Sequence, residues 1–122
     1  MASEYRFVLF SWRDVREALV TYDRKRGQAT PTVPPVKFRV NREALDCELT
    51  FGKDRPKRYL YDKPSVIAAL IMRCRDRGVR LPLKASKDLH LLEGRMAMSV
   101  HIAGAAEPEM LNLEILGQSV VA

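Results

Sequence analysis

Residues 62–78, Asp-Lys-Pro-Ser-Val-Ile-Ala-Ala-Leu-Ile-Met-Arg-Cys-Arg-Asp-Arg-Gly, constrain this chain more than any other stretch. Asp62 or Lys63 stands where a helix N-cap belongs, Pro64 fits the first turn, and Gly78 fits the stop. No charge falls between Pro64 and Met72. Arg73, Arg75 and Arg77 then crowd the last turn, where the helix dipole favours cations. At about 100° per residue, Val66, Ile67, Leu70, Ile71 and Cys74 share one arc, which is the expected inner face. The opposite side carries Ser65, Ala68, Ala69, Met72 and Asp76, where a surface helix normally carries several charges. Such a face is covered either by another element of the chain or by a second subunit. Ala68, Ala69 and Met72 are therefore the candidate interface residues.

The chain has 122 residues and a net charge of +6, and the placement of that charge says more than its size. Residues 53–87 hold eleven Lys/Arg against three Asp/Glu, so the rest of the chain is slightly acidic. Localised cations are the footprint of an anion-binding surface. The candidates are Arg55, Lys57 and Arg58 before the helix, Arg73 and Arg77 on it, and Arg80 and Lys84 after it. Arginine forks suit phosphate oxygens. The competing explanation is compositional, since arginine outnumbers lysine fourteen to seven throughout. Tyr59 and Tyr61 are interleaved with the cations, either to stack on bases or to pack in the core.

Periodicity places the other elements. Glu4–Phe10 reads as a strand. Ser11 caps a helix whose stripe is Val15, Ala18, Leu19 and Tyr22, ended by Gly27. Residues 28–35, with three prolines, are a stiff connector. Val36–Val40 and Leu45–Phe51 alternate as an antiparallel hairpin whose wet face sets Lys37 and Arg39 against Asp46 and Glu48. That pairing discounts Lys37 and Arg39 as binding residues. Lys57–Tyr61 is a third strand. Leu89–Leu92 and Arg95–Ile102 flank a Glu93-Gly94 turn, Met110–Leu116 is a candidate last strand, and the chain is expected to fray after residue 117. No internal repeat is evident. The expected class is α+β, one domain over 1–122, in the order β-α-β-β-β-α-β-β-(β), with two helices packed on a mostly antiparallel sheet. A ferredoxin-like arrangement is one candidate.

The sequence has no Gly-rich phosphate loop, nucleophile elbow or metal-ligand pair at helical spacing. His90 and His101 fall about 13 Å apart along the expected ladder, too far to share a metal. No cofactor is expected. Cys47 and Cys74 read as buried free thiols. No uncharged run approaches the roughly 20 residues of a membrane-spanning helix, and a cytoplasmic location is expected. Three functional classes follow. The first is a non-enzymatic interaction or regulatory domain that self-associates as a homo-oligomer. The second is a nucleic-acid or polyanion binder using the 53–87 segment. The third is a small enzyme whose site the linear sequence hides.

Overall fold

A computed structural model describes residues 3–28, 31, 33–82, 84–103 and 120–121. The elements are β1 (Ser3–Phe10), α1 (Trp12–Lys25), β2 (Lys37–Val40), β3 (Cys47–Phe51), β4 (Lys57–Tyr61), α2 (Lys63–Asp76), β5 (Ser86–Leu92), β6 (Arg95–Ala103) and β7 (Val120–Val121). Class and order are those expected of an α+β chain. The strands divide between two sheets, however, so the single sheet of a ferredoxin-like arrangement is not formed. One sheet runs β5-β6-β1-β7 and the other β2-β3-β4. All pairings are antiparallel except β7 beside β1. Met110–Leu116 lies outside the described residues. Of the tail after 117, Val120 and Val121 are a short parallel strand opposite Val8 and Leu9. Among the described residues no helix is long and apolar enough to cross a membrane.

Both helices start and stop by the same devices. The Ser11 hydroxyl accepts from the Asp14 amide at 3.1 Å and donates to its carboxylate at 3.0 Å. The Asp62 carboxylate accepts from the Ser65 amide at 2.9 Å. At the other ends, Gly27 and Gly78 take φ of +77° and +73°, which glycine adopts without strain. The following amides close back onto the helices: Gln28 N–H donates to Asp23 O at 3.0 Å, and Val79 N–H to Cys74 O at 2.8 Å. These are Schellman closures.

Among the described residues the likeness extends beyond the helices and corrects the reading that found no repeat. Residues 3–103 contain two β-α-β-β units, β1-α1-β2-β3 and β4-α2-β5-β6, with β7 outside both. Each helix has 14 residues and starts one residue after its strand. Val15, Ala18 and Leu19 in α1 match Val66, Ala69 and Leu70 in α2, and all six are at most 2% exposed. The units exchange their first strands. β1 completes the sheet of the β5-β6 hairpin, while β4 completes that of β2-β3. A lone hairpin is marginal in water, so neither unit closes a three-stranded sheet by itself. One apolar cluster spans both units, from Phe10 and Leu19 to Leu49, Leu70 and Met98.

One matched pair differs chemically. The Tyr61 hydroxyl donates to the Asp23 carboxylate deep in the core, where Tyr61 is 4% and Asp23 2% exposed. Burial, reinforced by that carboxylate, pushes the Tyr61 hydroxyl well above the usual phenol range. The matching positions in the other unit are Phe10 and Cys74, both fully buried. Tyr61→Phe leaves a buried carboxylate without its donor and should lower stability by about 1–3 kcal/mol. Adding Asp23→Cys, which copies the Phe10–Cys74 pair, should recover most of that loss in urea unfolding. Equal destabilisation by the single and double variants would count against this account.

Candidate functional site

The seven cations expected to form one surface fall into three settings. Arg73 and Arg77 bind the helix–helix seam. Arg73 donates to Asp14 at 3.0 Å and to Glu17 at 2.8 Å, and Arg77 donates to Asp14 at 3.1 Å. The Arg73 side chain is only 16% exposed. Lys25 and Asp76 bridge the same two helices at 3.0 Å. Burial pushes the Asp14 carboxyl up, but hydrogen bonds from Arg73 and Ser11 and the charges of Arg77 and Arg73 outweigh it and hold it below its ordinary value. Glu17 is likewise held down against burial, by Arg13 and Arg73. These arginines are thus neutralised within the chain. Ala69 lies one helical turn before Arg73, on the side turned toward α1, and is 1% exposed. It belongs to the core and cannot meet a second subunit. Ala68 and Met72 are half-buried.

Arg80 and Lys84 are exposed in the connection after α2. Their neighbour Lys87 is occupied, since its ammonium donates to Pro82 O and Ala85 O, each at 3.1 Å, and burial pulls its pKa down. A hollow of about 500 Å³ beside it is lined by Ile71, Arg75, Val79, Arg80 and Leu81 among others.

Arg55, Lys57 and Arg58 occupy the third setting, at the β3–β4 turn and the start of β4, all exposed. The register sets Lys37, Thr50 and Arg58 in one row across the outer face of this sheet, and Arg39, Glu48 and Leu60 in the next. Glu48 gives its ion pair to Arg58, at 3.5 Å, rather than to β2. Lys37 therefore faces Thr50 and forms no ion pair among the described residues, contrary to the pairing expected from alternation alone. The sheet is consequently graded. Its turn end carries Lys37, Lys53, Arg55, Lys57 and Arg58 with Asp54. At its other end, Arg39 shares a hollow of about 480 Å³ with Asp46, Glu48 and Asp62. Lys37 is the residue that sequence reasoning missed, because a shift of two positions in strand register keeps the same face outward but exchanges Glu48 for Thr50 as its neighbour.

No family model matches the chain, and neither a curated protein nor a solved structure matches it.

The other sheet's outer face bears the histidines. His90 Nε2 lies 2.8 Å from Ser99 Oγ, and His101 stacks on Tyr5 with ring centroids 4.2 Å apart. Asp88, on the same face as His90, gives its carboxylate to Lys63 at 2.6 Å and to the Leu89 amide at 2.9 Å. Among the described residues no carboxylate is hydrogen-bonded to His90 in the way that orients imidazole in a hydrolytic triad. Among the described residues no group of three His, Cys, Asp or Glu could hold a metal. Both cysteines are free and buried. Burial pushes the Cys47 thiol up to about 12 and the Cys74 thiol up to about 11, so neither is a reactive thiolate near neutrality.

Arg73→Met should destabilise the fold by roughly 1–3 kcal/mol, because it removes the largely buried partner that Asp14 and Glu17 share and leaves them only Arg77, Ser11 and Arg13. The pH dependence has a fixed sign. A carboxyl whose folded pKa is depressed contributes stability above its unfolded value and loses it as pH falls through the folded value. Stability should therefore decline as pH drops below about 4, the ordinary carboxyl range. Asp14→Asn should flatten part of that decline in thermal melts taken across the acid range.

Proposed function

We propose that this protein is a non-enzymatic interaction domain whose partner is a polyanion, with nucleic acid the best-fitting chemistry. The supporting observation is the turn end of the β2-β3-β4 sheet, where Lys37, Lys53, Arg55, Lys57 and Arg58 are all exposed beside Asp54, with Glu48 pairing Arg58. Lys37 and Arg58 stand two strands apart, roughly 10 Å, in one row of the sheet. Cations separated in this way suit a chain of phosphates better than a single small anion. The arginines of the helix seam take no part, since their charge is already spent on Asp14 and Glu17.

Fluorescence anisotropy with a labelled 20-nucleotide RNA and a DNA duplex of equal length tests this reading. Binding should weaken with salt at a log–log slope of roughly −3 to −4, as expected when four or five phosphates are neutralised. The triple change Lys53→Glu, Arg55→Glu, Arg58→Glu should abolish binding at 50 mM salt, while Arg75→Glu with Arg80→Glu should preserve it. Absence of binding by the unaltered chain at low salt would remove the proposal. Equal loss in both variants would take the site away from this sheet.

A further inference from the structure

A second surface has different chemistry. Trp12, Phe38, Val40, Arg42, Leu91 and Gly94 line an open cleft of about 530 Å³. It lies where the two units meet. Val40 pairs with Cys47 and Leu91 with Met96, so they hold matching positions in the two hairpins. Trp12, Phe38, Val40 and Leu91 all rest on the main core while remaining partly exposed. Trp12 and Phe38 meet edge to face with ring centroids 6.1 Å apart. The indole N–H is already satisfied, donating to Gly94 O at 2.8 Å, so the ring offers the cleft only apolar surface.

The repeat shows what has been added here. Between the paired positions the β5–β6 connection has four residues, 92–95, and the β2–β3 connection has six, 41–46. The longer loop carries Arg42 and is held firmly. The Asn41 side chain accepts from the amides of Glu43 at 2.9 Å and Ala44 at 3.1 Å, and Leu45 N–H donates to Asn41 O at 2.8 Å. Leu45 is kept at φ +59°, a conformation that costs a non-glycine residue energy and persists only where its surroundings enforce it. Arg42 is exposed and forms no ion pair among the described residues. The acid of the facing turn, Glu93, lines a separate hollow with Phe7 and Leu9. The cleft is thus apolar and aromatic with one unneutralised cation at its rim. Its volume falls within the usual range for small-molecule sites.

We propose that this cleft binds a small flat aromatic carboxylate, with its rings against Trp12 and Phe38 and its carboxylate at Arg42. The site is independent of the cationic sheet face. Trp12 is the only tryptophan, so its indole N–H gives a single resonance in a 15N-labelled sample. Titration of 2-naphthoate into the full chain should shift that resonance saturably. The neutral analogue 2-naphthamide should bind more weakly, by roughly tenfold. Arg42→Ala should weaken naphthoate by a similar factor and leave naphthamide unchanged, whereas Arg39→Ala should change neither. No indole shift with naphthoate at millimolar concentration, in a chain whose amide spectrum is dispersed, would overturn the proposal. Equal affinity for acid and amide would remove Arg42's role and with it the proposed ligand class. An indole shift that depends on protein concentration without ligand would assign the cleft to a second copy of the chain instead.

Discussion

Each half of this chain gives its first strand to the other half, and the rest of the structure depends on that exchange. A β-α-β-β unit holds one hairpin and one strand that its own helix carries away. The hairpin edge and the departing strand both have unpaired backbone groups. Pairing β1 with β6 and β4 with β3 satisfies both edges at once. It also forces the two helices together, since each helix follows its strand after a single capping residue. Fusion of the cores is then unavoidable, and Phe10, Leu19, Leu49, Leu70 and Met98 belong to one cluster.

The helix seam explains the low charge of α2. Ala69 and its counterpart Ala18 are fully buried small residues, and charge on that side of α2 begins only at Arg73, where Asp14 and Glu17 meet it. Of the low-charge face, Ala69 is buried, while Ala68 and Met72 stay half-buried. A run of arginines in sequence likewise conceals two uses. Those on the seam are paired with carboxylates, Arg73 largely buried and Arg77 exposed, while those on the β3–β4 turn are exposed.

The two halves share a plan and diverge at defined positions. In the core, a hydrogen-bonded Tyr61–Asp23 pair stands where the other half has Phe10 and Cys74. On the outward faces, one sheet carries Lys37 and Arg58 on either side of a buried Thr50, and the other carries Phe7 and Asp88 on either side of a buried Ser99 at the matching row. The β2–β3 loop is longer than its counterpart and carries Arg42 to the rim of an apolar cleft.

The sequence by itself determined the local elements. Ser11 and Asp62 begin the helices, Gly27 and Gly78 end them, and Glu93-Gly94 turns the hairpin, because capping and turn geometry act within a few residues. The repeat was written there too, in Val15-x-x-Ala18-Leu19 and Val66-x-x-Ala69-Leu70, but those residues read as ordinary helix stripes until the exchanged strands gave them a common setting. Only the tertiary structure decided which arginines are neutralised, that Ala69 faces inward, and that Trp12, Phe38 and Leu91 share one cleft. Charge neutralisation, burial and concavity arise from groups far apart in the chain, and short-range periodicity carries no record of which distant partner arrives.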